Sequence, residues 1–227
     1  VNVTLCSAFR NSAGYIARYF EQVTALQESI ESRGDCLYLV LAEGDSTDDT
    51  PERLDGVLSE LGVEATLLGV THGGKDYGSV VNAERFANLA KVWNAIWQRI
   101  PEDADAVIFV ESDLIWATST MLALLDDLEH VPCVAPMVMM KNGWFWDTWG
   151  FVRNGHNFRN QPPFHAEMTA QSLWFELDSA GSCLVMRGDV ARRVHWPAAD
   201  VVKGVCKQII DGGDSVWLNT RQKVMHP

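Results

Sequence analysis

The run Val107-Ile108-Phe109-Val110 is β-branched and aromatic, and it stops at once on two carboxylates, Glu111 and Asp113. A short apolar run of this kind reads as a buried strand, which delivers the residues after it to the edge of a sheet. In an extended segment the i, i+2 spacing sets both acids on one side, where they repel unless a cation lies between them. Oxygen ligands of this type suit a hard divalent ion such as Mg²⁺ or Mn²⁺. Two solvated acids at a strand end would give the same local pattern, so the rest of the chain has to decide.

The rest alternates strand and helix. Val1 to Phe9 reads as a first strand, broken by Arg10-Asn11-Ser12-Ala13-Gly14, and a helix follows with Ile16, Tyr19, Phe20, Val23, Leu26 and Ile30 on one face. Cys36 to Ala42 is apolar throughout, as expected of a parallel strand covered on both faces, and it ends in Glu43-Gly44-Asp45-Ser46-Thr47-Asp48-Asp49-Thr50-Pro51. Thr50 or Asp49 is placed to cap a helix with Pro51 in its first turn, running to about Leu61. A strand over Ala65 to Val70, a glycine-rich loop from His72 to Gly78 and a helix with Ala83, Phe86, Ala90, Trp93, Trp97 and Ile100 on one side lead to the central strand. A helix over Met121 to Leu128 and a strand over Cys133 to Met140 come next. This order predicts an α/β protein with an open, mostly parallel central sheet flanked by helices and ligands at the carboxyl ends of its strands.

Residues 141–170 lose this regularity: Trp144, Phe145, Trp146, Trp149, Phe151, Phe158 and Phe164 are interleaved with Asn, Gly, Arg and His. Such rings either pack their own loop or offer a stacking surface to a sugar or base. Two strands, Ser172 to Leu177 and Ser182 to Arg187, and a short helix from Gly188 follow. Asp214 is expected to stand before a last helix carrying Val216, Trp217 and Leu218. The whole is expected to form one domain of two halves, 1–116 and a smaller 117–227.

Charge narrows the partners. The net charge is −12, and it is uneven: residues 1–140 hold 8 basic and 22 acidic side chains (−14), residues 141–227 hold 10 and 8 (+2). A chain this acidic offers no general basic face to a nucleic-acid backbone. Five cysteines without a C-x-x-C pair argue for reduced thiols and against zinc. With no apolar run long enough for a bilayer and no secretion signal, a cytoplasmic enzyme is expected.

Taken in order, these segments resemble a nucleotide-sugar-dependent glycosyltransferase of the GT-A fold. Val1–Val23, with Phe9-Arg10-Asn11, is similar to the family's opening strand and turn. Glu43-Gly44-Asp45-Ser46-Thr47-Asp48-Asp49-Thr50 resembles its Asp-Asp-Gly-Ser-Thr-Asp-Asp-Thr segment, with Glu43 in the nucleoside-contacting place and Gly44-Asp45 in swapped order. Glu111-Ser112-Asp113 fits the D-x-D element, with Glu for the first Asp. Arg85-Phe86-x-x-Leu89-Ala90-x-x-Trp93-Asn94 and Phe145-Trp146-Asp147-Thr148-Trp149 look like segments of fungal capsule and cell-wall mannosyltransferases, although an Arg usually stands where Trp93 is. Gly213-Asp214-Ser215-Val216-Trp217-Leu218 resembles the acceptor-side Glu-Asp motif without its Glu, and Val224-Met225-His226 resembles the C-terminal His that completes the metal site.

The resemblance implies a donor nucleoside-diphosphate sugar held by Phe9, Arg10, Glu43, Asp45, Arg85 and Ser112. It implies Mn²⁺ or Mg²⁺ held by Glu111, Asp113 and His226, an acceptor against Trp146, Asp147 and Trp149, and Asp214 as the base that deprotonates the acceptor hydroxyl. The acceptor itself is open among glycan, protein and modified nucleobase. His156 and His165 are further acceptor-side candidates, whereas His72, His130 and His195 receive no role. Two other classes compete. A sugar-phosphate nucleotidyltransferase should carry a Gly-rich basic loop after the first strand, where Cys6 to Gly14 offers only Arg10. A non-catalytic nucleotide-binding module would keep Glu43 and Asp113 without Asp214 or the aromatic segment. G-x-G-x-x-G and G-K-[ST] are both absent.

Overall fold

The structure, a computed structural model, describes residues 1–78 and 80–227. Strands and helices alternate as β1 (Asn2–Phe9), α1 (Ile16–Ser32), β2 (Cys36–Glu43), α2 (Thr50–Leu61), β3 (Glu64–Gly69), α3 (Ala83–Trp97), β4 (Ala106–Val110), α4 (Thr118–Asp127) and β5 (Cys133–Met140). After β5 come the two-residue strands β6 (Val152–Arg153) and β7 (His156–Asn157), then β8 (Trp174–Leu177), β9 (Cys183–Arg187), α5 (Gly188–Ala191), α6 (Val201–Asp211) and β10 (Val216–His226).

Local chemistry sets these bounds. Helix α1 buries Ile16, Tyr19, Phe20, Val23, Leu26 and Ile30, one stripe at helical spacing. Helix α2 has Pro51 in its first turn and stops at Gly62, whose φ of 61° a side chain would resist. Asn82 caps α3, its side-chain oxygen accepting the Arg85 N–H at 3.0 Å. All five residues of β4 are buried, so that strand is covered on both faces.

Eight strands form one sheet in the order β3-β2-β1-β4-β9-β5-β10-β8. β1 pairs in parallel with β2 and β4, β2 with β3, and β5 with β10. β9 lies antiparallel between β4 and β5, and β8 runs antiparallel along β10 at the sheet's edge. The carboxyl ends of β1 to β5 and β10 therefore all emerge on one edge. Because β9 runs the other way, the residues that precede it, Gly181 and Ser182, reach that same edge.

One sequence expectation is corrected here. Residues 216–226 form the long strand β10, not a helix. Val216, Leu218 and Val224 are buried within it, and a β-bulge lies between Asn219 and Lys223. A short Val-Trp-Leu run is ambiguous by periodicity, and its β-branched and aromatic content suits a strand once β5 offers an open edge. No helix among the described residues is long and apolar enough to cross a membrane.

Candidate active site

At the shared edge, Leu114 N–H bonds back to the Glu111 carbonyl at 3.2 Å, so the chain turns as soon as β4 ends. Across that turn the Asp113 charge still acts on Glu111. Ser112 faces inward, its hydroxyl donating to the Ala8 carbonyl at 2.7 Å. Ile115 and Met225 exchange both backbone hydrogen bonds at 2.8 Å, stitching the turn to the end of β10. His226 is thereby set beside Asp113, with Nε2 3.2 Å from Oδ2, and the Trp146 indole lies flat on the imidazole at 3.8 Å. Burial lowers the His226 pKa, but the Asp113 hydrogen bond and the charges of Asp113 and Glu111 outweigh it and hold the imidazole above its ordinary range.

The other Asp113 oxygen, Oδ1, is buried and has no hydrogen-bond partner among the described residues. An anionic oxygen in that state is costly unless something else binds it. Asp113 and His226 together offer a carboxylate oxygen and an imidazole nitrogen that would hold a divalent ion such as Mn²⁺. Among the described residues no three His, Cys, Asp or Glu side chains converge closely enough to form a complete cage. Glu111 does not join this pair. It lines a separate cavity, where burial and the charges of Asp113 and Asp147 push its pKa up to about 8, against the Ser182 hydrogen bond and Arg85.

Two cavities adjoin at Arg85. The outer one, about 240 Å³, is lined by Phe9, Arg10, Gly44, His72, Asn88 and Arg85 among others. The Phe9 ring itself is turned into the core against Tyr19 at 4.9 Å, so Phe9 meets this cavity through its backbone. Arg10 pins the glycine-rich loop by donating to the Gly74 and Lys75 carbonyls at 2.6 and 3.3 Å. Asp45 holds the same loop from the other side, accepting the His72 N–H at 2.8 Å; its hydrogen bonds to the His72, Gly73 and Gly74 amides lower its pKa. Glu43 ends β2 in register with Phe9 and accepts the Ser46 N–H at 2.8 Å.

The inner cavity, about 310 Å³, has Phe86, Trp93, Phe109, Trp146, Trp149 and Trp196 in its walls, with Glu111, Asp147, Ser182 and Arg85 among its polar groups. Lys203 lies over the Trp149 ring at 4.9 Å. Val201, also in the wall, opens α6 with a φ of 39°, a left-handed conformation that a β-branched residue adopts only under constraint.

No protein-family model and no curated protein matches the chain. Solved structures do. The S. aureus protein TarS, residues 1–349, superposes with a TM-score of 0.60 at 12% identity over 99% of this chain and 60% of its own. The same TarS fragment solved in complex with UDP gives 0.58 at 12% identity. The mannosyltransferase PcManGT from Pyrobaculum calidifontis, solved with GDP-Man and Mn²⁺, gives 0.61 at 15% identity over 98% of this chain and 56% of its own. The fold is GT-A-like. At these identities the likeness is one of fold, and the chain spans 56–60% of these three solved chains.

On the GT-A-like edge the structure gathers Arg10, Glu43, Arg85, Glu111, Asp113, Trp146, Asp147, Trp149 and His226. Asp214 is not among them. It precedes β10 and so lies at the opposite edge of the sheet, where its carboxylate pairs with Arg187 at 3.4 Å and with Arg193. An acid clamped by two guanidiniums away from both cavities is a structural ion pair, not a base. The Ser112 hydroxyl is likewise committed to the backbone. His156 is exposed on β7, and His165 is buried against Phe158 and Phe175; neither lines the two cavities. Sequence reasoning passed over His72, whose buried imidazole is held below its ordinary pKa by burial against the pull of Asp45. It also missed Ser182, for which only the Gly-Ser pair just before an apolar strand could have been a signal.

Proposed function

We propose that the chain is a glycosyltransferase that moves a sugar from a nucleoside-diphosphate sugar to an acceptor hydroxyl with divalent metal assistance. The observation that carries this reading is Asp113 Oδ1, buried and without a partner among the described residues, beside His226 and just after the strand that also sends Glu111 into the inner cavity. In this reading Asp113 and His226 hold Mn²⁺ or Mg²⁺, which when bound neutralises the departing diphosphate. The outer cavity takes the nucleoside, with Glu43 at its margin and the loop held by Asp45 and Arg10 as its wall. Arg85, which faces both cavities, donates to the phosphates between them. Glu111, in the wall of the inner cavity, lies against a hydroxyl of the transferred sugar.

Trp146 and Trp149 flank the acceptor. The Mn²⁺, GDP-Man and UDP in the structures of similar fold support a metal and a nucleotide sugar as ligands. A non-catalytic nucleotide-binding module would have no use for a second cavity with carboxyls at its floor. A panel of nucleotide sugars incubated with Mn²⁺ tests the proposal: at least one is expected to be bound and turned over, and EDTA is expected to stop it. Binding and turnover of none, with or without metal, would defeat it.

A further inference from the structure

One carboxylate at the floor of the inner cavity has a cradle built around it. Asp147 Oδ1 accepts the Gly150 N–H at 2.7 Å, and Oδ2 accepts the Ser182 hydroxyl at 2.9 Å. A Cβ on Gly150 would stand 2.6 Å from Oδ2, and one on Gly181 would come closer still. Neither glycine has a positive φ, so room for this carboxylate, and not backbone freedom, is what glycine supplies at both places. Among the described residues Asp147 makes no ion pair; Lys203 and His226 act on it only through longer-range charge. A carboxylate this enclosed and held by neutral donors alone is costly to keep, and a structural role would be served more cheaply by an amide.

From this geometry, and resting on the sugar-transfer reading above, we infer that Asp147 is the general base that takes the proton of the acceptor hydroxyl. The acceptor oxygen forms its bond to the anomeric carbon as the bond from that carbon to the diphosphate oxygen breaks. The leaving nucleoside diphosphate keeps the electron pair, and the acceptor proton ends on Asp147, from which water removes it after product leaves. Attack from the face opposite the leaving group inverts the anomeric centre. Gly150 and Ser182 are positioning residues: each fixes one carboxylate oxygen and leaves the second lone pair of that oxygen free.

The test is Asp147→Asn, assayed with GDP-mannose and UDP-glucose in Mn²⁺, with water as the acceptor. The replacement is isosteric and fits the cradle: its oxygen accepts from Gly150, and its amide donates to Ser182 Oγ, whose hydroxyl turns away. Donor affinity by calorimetry is expected within about threefold of wild type and turnover down by about 10²–10⁴-fold. The sugar released by wild type is expected to carry the inverted configuration when first seen by ¹H NMR. A variant that turns over donor at the wild-type rate, or one that loses donor binding along with turnover, would overturn the assignment, as would a product of retained configuration. Those results would leave the glycosyltransferase reading standing. A wild-type protein that binds neither donor and no other nucleotide sugar would remove both. A melting curve of the variant matching wild type, and a smaller loss of turnover in Ser182→Ala, keep a folding defect apart from a lost base.

Discussion

His226 Nε2 lies 3.2 Å from Asp113 Oδ2, although half the chain separates them in sequence. The contact depends on β10 pairing in parallel with β5 and on the Ile115–Met225 bridge that ties its last turn to the end of β4. His226 is fixed by a strand register, a carboxylate and a stacked indole.

The indole leads to a first prediction. Trp146 holds the plane of the His226 ring at 3.8 Å, so its loss should loosen the histidine without removing either proposed ligand. Trp146→Ala is expected to weaken Mn²⁺ binding by about tenfold, the effect usual for a group that orients a ligand. Trp146→Phe should recover most of it. Electron paramagnetic resonance of free Mn²⁺ in the presence of GDP reads this directly, and equal affinity in Trp146→Ala and wild type would show the stack to be incidental.

Asp45 gives a pH prediction with a definite sign. Its hydrogen bonds to the His72, Gly73 and Gly74 amides hold its pKa below the unfolded value of about 3.9. A group depressed on folding adds stability above its unfolded pKa and loses that contribution as pH falls through the folded value. The melting temperature of wild type should therefore exceed that of Asp45→Asn at pH 7, and the gap should close toward pH 2. A gap independent of pH would point to lost geometry rather than lost charge.

Asp214 is predicted to matter for stability alone. It is held by Arg187 and Arg193 at the sheet edge remote from both cavities, and its side chain is 19% exposed. Asp214→Asn leaves two guanidiniums without their counter-charge, which should cost about 1–2 kcal/mol and lower the melting point by a few degrees. Turnover of a bound donor should not change. A large loss of turnover at unchanged melting temperature would restore Asp214 to the site.

Much of this layout was legible in the chain. Continuous apolar runs at Cys36–Ala42 and Cys133–Met140, and the helical stripe from Ile16 to Ile30, carry their own periods, and all three elements lie where those periods put them. The acids Glu43 and Asp113 were readable because a parallel strand can only release its polar cluster at its carboxyl end. Asp214 misled because Asp before Ser-Val-Trp-Leu suits a helix cap and a strand start alike, and only the free edge of β5 decides between them. Glu111 was assigned to the metal on the geometry of an extended segment, which the turn closed by Leu114 N–H does not keep. Ser182 and His72 were out of reach of local pattern, since their place in the cavities comes from the antiparallel course of β9 and from a loop drawn in by Asp45.

The central claim is that Asp113 and His226 form a metal-dependent diphosphate site, and calorimetry of GDP and UDP binding tests it most directly. Wild type should bind at least one of them with Mn²⁺ present and lose about tenfold or more in affinity when EDTA removes the metal. In Asp113→Ala the affinity should fall to the metal-free level and no longer respond to Mn²⁺, while the melting curve stays close to wild type, because Asp113 lies in the turn after β4 and is not part of the core. Equal Mn²⁺-dependent affinity in Asp113→Ala and wild type would contradict the account.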